Sequence, residues 1–197
     1  MSNTEAQWLQ LALQGSEEAY AQLVEIYQTR VYNLCYRMLG SIEEAEDAAQ
    51  ETFWRAYQNL KRYDPSRSFT TWLLSIAAHY CIDQQRRRRL PLFDLDALPE
   101  EIIPDHSSNT EKTAAQHEME HQLRQLLQTL GAQDRAAIIM RYWYDMSDEE
   151  IAQALTLSIS AVKSRLFRAR RQLAENWRGA QEQPLSVGGK QYESPAF

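Results

Sequence analysis

Ser147-Asp148-Glu149-Glu150-Ile151-Ala152-Gln153-Ala154-Leu155, then Thr156-Leu157-Ser158, then Ile159-Ser160-Ala161-Val162-Lys163-Ser164-Arg165-Leu166-Phe167-Arg168-Ala169-Arg170-Arg171, is the stretch whose reading decides the architecture. Ser147 stands three residues before Glu150, the spacing at which a serine hydroxyl and a glutamate carboxylate each satisfy an orphan backbone N–H at a helix start. Ser158 offers a second cap after a three-residue turn. At about 100° per residue, Ile159, Val162, Leu166, Ala169 and Leu173 fall on one face of the second helix, which is therefore its core side. Two helices joined by so short a turn, the second rich in bases, form a helix-turn-helix, whose second helix enters the major groove of duplex DNA.

The opposite face of that helix carries Ser160, Ser164, Phe167, Arg168 and Arg171, flanked by Lys163 and Arg170, and no acid occurs from Ile159 to Leu173. Long basic side chains suit phosphates and guanine edges, and an outward Phe suits thymine methyl groups. A solvated charged face would normally interleave acids with the bases. Taken alone, the pattern says DNA binding and no more.

Upstream of this unit, periodicity begins at Met119 and runs through Leu123, Leu126, Leu127 and Leu130 to Gly131, followed by a helix over Asp134–Tyr144. Before that the pattern breaks: residues 91–113 hold Pro91, Pro99 and Pro104 among the acids Asp94, Asp96, Glu100, Glu101 and Asp105, and read as a flexible linker. The chain's net charge of −6 is concentrated around that linker: residues 1–90 sum to −1, 91–120 to −7, 121–178 to +3 and 179–197 to −1. An acidic total argues against a nucleic-acid partner, but the distribution reverses that argument for 121–178.

The first 90 residues are helical by the same tests. A short helix covers 3–14; Ser16 with Glu17 and Glu18 opens a long one whose stripe of Tyr20, Leu23, Val24, Tyr27, Val31, Leu34, Cys35 and Met38 ends at Gly40. Ser41 caps a third helix to about Arg62 that carries Ala45, Ala48, Ala49, Thr52, Phe53, Ala56, Tyr57 and Leu60. The Tyr63–Ser68 turn precedes a fourth, from Phe69 to the run Arg86-Arg87-Arg88-Arg89. Cys35 and Cys81, far apart in sequence, read as reduced, buried thiols.

Two surfaces of this region stand out. Trp72, Ser75, His79 and Arg86 share a flank of the fourth helix, mixing aromatic, polar and basic groups as a surface for unpaired bases does, and Tyr63–Ser68 can wall a pocket for a flipped base. Trp72 alone reads better as a core aromatic; four consecutive arginines with little counter-charge nearby in the sequence shift the balance toward a polyanion. The acidic start of the third helix, Glu43, Glu44, Glu46, Asp47 and Glu51, admits three readings: a metal-binding carboxylate cluster, acids favoured by the helix dipole, or a docking surface for a basic partner with Gln50, Phe53 and Trp54.

His117-Glu118-Met119-Glu120-His121 matches the H-E-x-x-H zinc-protease signature. With Met119, Leu123, Leu126, Leu127 and Leu130 inward, both histidines point to solvent, and no histidine follows His121 as a third ligand. No enzyme activity, metal or other cofactor is expected. No stretch approaches the roughly 18 apolar residues of a membrane span, and the N-terminus lacks a signal-peptide pattern, so a cytoplasmic protein that is not membrane-embedded is expected.

Ala45-Glu46-Asp47-Ala48-Ala49-Gln50-Glu51-Thr52-Phe53, Phe69-Thr70-Thr71-Trp72-Leu73 and Ile82-Asp83 before the Arg run resemble the first conserved domain of extracytoplasmic-function (ECF) sigma factors. Ile151-Ala152 and Ala161–Arg170 resemble that family's promoter-reading helix. The resemblance spans about Glu17 to Trp177 and implies an all-α protein of two small domains joined by a flexible acidic linker: 1–90 for polymerase docking and the minus-ten element, 91–113 the linker, 114–178 for the minus-thirty-five element, and 179–197 a disordered tail. It implies that Glu46, Asp47, Gln50 and Glu51 dock on core RNA polymerase, and that Tyr63, Arg67, Trp72, Ser75, His79, Arg86 and Arg87 hold the melted minus-ten strand of promoter DNA. Ser160, Lys163, Ser164, Phe167, Arg168 and Arg171 would read the minus-thirty-five duplex, and an anti-sigma protein would regulate the factor. Two departures are His79, where the family often has Asn, and Ala48-Ala49, where it often has a bulkier pair.

Overall fold

A computed structural model describes residues 3–89 and 114–182, with the side chains of 3, 89, 114, 115, 117 and 179–182 outside the described residues. The expected linker and most of the expected tail also lie outside them. The described residues contain α-helices and one 3-10 turn and no strand: α1 (Asn3–Leu13), α2 (Glu17–Leu39), α3 (Ile42–Asn59), the 3-10 turn Leu60–Arg62, α4 (Phe69–Arg89), α5 (Ala114–Gln128), α6 (Ala132–Trp143), α7 (Asp148–Leu155) and α8 (Ile159–Glu182).

Local chemistry sets the boundaries. The Ser16 hydroxyl accepts from Ala19 N–H and the Ser41 hydroxyl from Glu44 N–H, each opening a helix whose first turn holds two glutamates. Gly40, at φ 86°, ends α2 in the left-handed conformation that only glycine adopts without strain, so the chain turns at once into α3. Helix α7 begins with the full reciprocal cap, Ser147 to Glu150 and back, and stops at Thr156, φ 56°. The Ser158 hydroxyl then accepts from Ala161 N–H and starts α8.

The first lobe is built from α1–α4. The α2 face Leu23, Tyr27, Val31, Leu34, Cys35 and Met38 is buried, as are Ala45, Ala48, Thr52 and Ala56 of α3. Small side chains let α3 lie close to α2, and Thr52 satisfies its buried hydroxyl on the Ala48 carbonyl at 2.6 Å. Cys35 and Cys81, distant in sequence, meet across α2 and α4 as free thiols; their mutual hydrogen bond, followed by burial, raises the pKa of Cys81. The second lobe packs α5–α8 around Leu127, Leu130, Ile138, Ile139, Ile151, Val162 and Leu166.

Three expectations need correction. The α5 stripe is buried only at its C-terminal end: Leu127 and Leu130 are inside, but Met119 is 65% exposed and Leu123 is also exposed, while it is Arg124 that faces α2, over the Tyr36 ring. Ile159, placed on the core side of α8, is exposed in its first turn. Helix α8 continues past Gly179 to Glu182, since one glycine costs about 1 kcal/mol and Ala180 and Gln181 are good helix formers.

The lobes are not separate in space. Helices α6 and α7 pack on α4, and α5 and α6 on α2, so buried apolar residues of both lobes form one contiguous cluster.

Candidate nucleic-acid and polymerase interface

Three surfaces contain the sequence-predicted residues. On α8, Val162, Leu166 and Ala169 face inward, while Ser160, Lys163, Ser164, Phe167, Arg168, Arg170 and Arg171 are exposed. Phe167 is 62% exposed. This face is not free of acid. Asp134, delivered by α6, takes Arg165 Nη1 at 2.6 Å and Arg168 Nη2 at 3.8 Å, and Glu175 takes Arg171 Nε at 2.8 Å, which raises the Arg171 pKa further. The side chain of Arg165 is only 25% exposed and ties α8 to α6, whereas that of Arg171 is 72% exposed.

On the first lobe, α4 presents Trp72, Ser75 and His79 along one flank and the Arg run at its end. Tyr63 differs from the sequence reading: it is buried, its hydroxyl donates to the Arg67 carbonyl, and its ring packs on Phe69 at 5.5 Å and Trp72 at 5.2 Å. Burial raises its pKa. The ring thus braces Trp72 from beneath and leaves Trp72 as the half-exposed aromatic. Asp64 accepts from Ser66 N–H and pairs with Arg67 at 3.5 Å, fixing the turn; the Ser66 bonds hold the Asp64 carboxyl below its usual pKa. Ser75 donates its hydroxyl to the Trp72 carbonyl, and His79 Nδ1 lies 2.8 Å from the Ser75 carbonyl, which leaves Nε2 as the outward nitrogen. Two of the arginines have counter-charges: Arg86 pairs with Asp83, one turn earlier on α4, at 3.1 Å, and Arg88 with Glu44 of α3, which only the fold brings near. Arg87 is exposed and, among the described residues, has no acidic partner; the Arg89 side chain lies outside them.

The third surface is a groove between α2 and α3. Glu46 and Gln50 are exposed on its α3 bank; Asp47 is exposed but does not line the groove, and Glu51 is half-buried and holds Arg55 at 2.7 Å, whose guanidinium lies over the Tyr80 ring of α4. A depression of ≈ 700 Å³, lined by Tyr20, Val24, Gln50, Phe53, Trp54 and Tyr57, adjoins one of ≈ 390 Å³ that includes Glu46 and Gln50. Trp54 and Tyr57 are exposed, and Tyr20 donates to the Phe53 carbonyl at 2.6 Å, which fixes the floor. An apolar trough with an acidic rim suits an amphipathic basic partner. Tyr20 and Val24 were assigned only to the core by their spacing; their outward edges become visible only when α3 is placed beside them.

Among the described residues, no three of His, Cys, Asp and Glu gather as a metal site. Of the H-E-x-x-H pair, His121 is half-buried on α5 and the His117 side chain lies outside the described residues. Glu150 is engaged in the α7 cap. No helix among the described residues is long and apolar enough to cross a membrane.

Comparison with known proteins matches residues 23–90 to Sigma-70 region 2 and residues 120–173 to Sigma-70, region 4. The ECF RNA polymerase sigma factor SigW of Bacillus subtilis is 35% identical over 173 residues, covering 83% of this chain and 91% of that protein. The RNA polymerase sigma-H factor of Pseudomonas aeruginosa is 32% identical, covering 79% of this chain and 84% of that one. Among solved structures, CnrH in complex with the cytosolic domain of CnrY matches with a TM-score of 0.67 at 24% identity, over 90% of this chain and 99% of that one. The sigma factor RpoE in complex with the anti-sigma factor NepR from Bartonella quintana matches with a TM-score of 0.66 at 23% identity, over 81% of this chain and 96% of that one.

Proposed function

The chain belongs to the ECF sigma factors of bacterial RNA polymerase, and from that premise we propose a residue-level division of labour between its two lobes. As a sigma factor it is a non-enzymatic transcription initiation factor that binds core polymerase, recognises the minus-thirty-five and minus-ten elements and promotes opening of the DNA. Residues 1–90 dock on polymerase and hold the minus-ten element; 91–113 are an acidic tether that occupies a basic channel of polymerase; 114–178 read the minus-thirty-five element; 179–197 form a tail. The factor works in the cytoplasm under an anti-sigma protein, as the complex of the sigma factor RpoE with the anti-sigma factor NepR illustrates for that protein.

The docking surface is Glu46, Asp47, Gln50 and Glu51, extended by Phe53, Trp54, Tyr20 and Tyr57 around the apolar trough. Polymerase supplies a basic amphipathic helical element whose apolar side fills the trough while the acids steer it. The minus-ten surface is Trp72, Ser75, His79, Arg67, Arg86 and Arg87, with Tyr63 acting from below as the brace of Trp72. Stacking on Trp72 contributes roughly 1–3 kcal/mol per base, and Arg87 meets phosphate without first breaking an ion pair. The minus-thirty-five surface is Ser160, Lys163, Ser164, Phe167, Arg168 and Arg171, presented by α8 as a recognition helix.

The observation that carries this reading is the exposed Phe167 among exposed bases on the helix-turn-helix, in a chain whose other lobe carries a separate aromatic and basic flank. The test mixes purified full chain with core polymerase and a promoter-fragment library, sequences the retained DNA and maps unpaired thymines with permanganate. Two unlike elements, with reactive thymines only in the downstream one, are expected. Palindromic sites bound by a dimer without polymerase would replace the assignment with that of an ordinary helix-turn-helix repressor.

A further inference from the structure

Asp134 does more than tie two helices. It stands in the first turn of α6, where the positive end of the helix favours an acid, and its side chain is only 18% exposed. One oxygen, Oδ1, faces two bases of α8 set a single turn apart: Arg165 Nη1 at 2.6 Å and Arg168 Nη2 at 3.8 Å. The two bases differ in kind. The Arg165 side chain is 25% exposed and fixes the carboxylate. That of Arg168 is 60% exposed on the face assigned to duplex, and reaches back to the fixed carboxylate through Nη2.

The other bases of this face lack such a mooring. Among the described residues Lys163 and Arg170 have no acidic partner, and Arg171 pairs with Glu175 of its own helix through two side chains that are both well exposed. They can swing toward whichever phosphate is nearest, a contact that carries no sequence information.

An arginine reads guanine through two N–H groups aimed at O6 and N7, which requires its planar fork to be held in one orientation. Fixing so long a side chain costs rotamer entropy. Asp134 removes part of that cost in advance, because Arg165 holds the carboxylate still and the carboxylate restrains Arg168 before DNA arrives. The same charge works against loose binding. Near the groove it repels the phosphates of every sequence alike, so that only a duplex offering Arg168 its base edge recovers the lost affinity.

We propose that Asp134 is a positioning residue that reserves Arg168 for one guanine of the upstream element and keeps it from serving as a general phosphate contact. The inference rests on the minus-thirty-five assignment above. In this role Asp134 touches no DNA and acts only through Arg168.

The test measures fluorescence anisotropy of the full chain on labelled duplexes at about 50 mM salt. The duplexes are the upstream element selected from the library, the same element with each base pair replaced in turn, and an unrelated sequence. For the wild type, replacing one G·C pair weakens binding about tenfold or more. Arg168→Lys keeps the charge and loses the fork, so it identifies that pair by losing discrimination there alone. Asp134→Asn reduces discrimination at the same pair to about threefold. It also raises affinity for the unrelated duplex about twofold, the effect of removing one charge about 10 Å from a phosphate in water. Asp134→Glu keeps the repulsion and the tie to Arg165 and gives intermediate discrimination. In the Arg168→Lys background, Asp134→Asn removes nothing further at that pair. A mere tie between α6 and α8 predicts instead that Asp134→Asn lowers Tm as Arg165→Ala does and weakens every duplex in the same proportion. That result, or discrimination lost at a pair other than the one Arg168→Lys identifies, overturns the positioning role while leaving the recognition face standing. A folded wild-type chain that distinguishes no upstream base pair sinks the minus-thirty-five assignment and the inference with it.

Discussion

Arg171→Ala and Arg165→Ala remove the same chemical group from α8 six residues apart, and the structure expects opposite consequences. Arg171 is mostly exposed and held only by Glu175 on its own helix, a pair that water and salt screen readily. Facing duplex, it exchanges that partner for a phosphate and releases condensed counterions, so its loss lowers the magnitude of the slope of log K against log salt by about 0.9. Between 50 and 200 mM salt that amounts to roughly 3.5-fold less weakening than the wild type shows. Arg165 instead spends its charge on Asp134 between α8 and α6. Its removal leaves the salt slope unchanged and costs about 1 kcal/mol of stability, a drop of about 2–4 °C in Tm for a chain of this size. The assay is fluorescence anisotropy of the full chain on a labelled duplex selected from a library, titrated across that salt range, with circular-dichroism melting of each variant. A reduced slope for Arg165→Ala together with an unchanged slope for Arg171→Ala would mean that the other side of α8 faces DNA.

Trp72→Ala should leave duplex anisotropy as it is and reduce permanganate reactivity of downstream thymines in the polymerase complex, with Trp72→Phe restoring part of the signal; intact opening in the alanine variant removes the strand-capture role. Ser147→Ala breaks the reciprocal cap of α7 and should cost about 1 kcal/mol, read as a lower urea midpoint at constant m-value. Burial, then its hydrogen bond to Glu5, pushes Tyr27 up to about 12. Raised in the fold, its contribution is complete below pH 10 and is lost as pH climbs toward 12, so alkaline melts should show stability falling in that window and Tyr27→Phe should flatten the fall; equal slopes for both proteins would refute the assignment.

Helix starts were legible because capping chemistry is local: Ser16, Ser41 and Ser147 each carry their partners within three residues, and the observed hydroxyl bonds go where the spacing places them. Face assignment was legible wherever a neighbouring helix runs alongside. It failed at Met119, Leu123 and Ile159, which periodicity places inward and the fold leaves exposed. The contact of Arg135 with the Met38 carbonyl has no local signature: it arises when chain segments far apart in sequence close on one another, as do the meeting of Cys35 with Cys81 and the outward edges of Tyr20 and Val24 in the trough.

Charge shows most clearly why a linear reading falls short. Counted along the chain, the Arg86–Arg89 run and the α8 face have almost no acid beside them, and every base looks equally available to phosphate. Folding brings Glu44 to Arg88 and Asp134 to Arg165 and Arg168, so the bases differ in what each must surrender before it meets DNA. Lys163, Arg170 and Arg87, exposed and without acidic partners among the described residues, surrender nothing but water. A helix's electrostatic footprint is therefore fixed by its neighbours' acids as much as by its own bases, and phosphate affinity should rank these three ahead of Arg168, an ordering that no count of charges along the chain can produce.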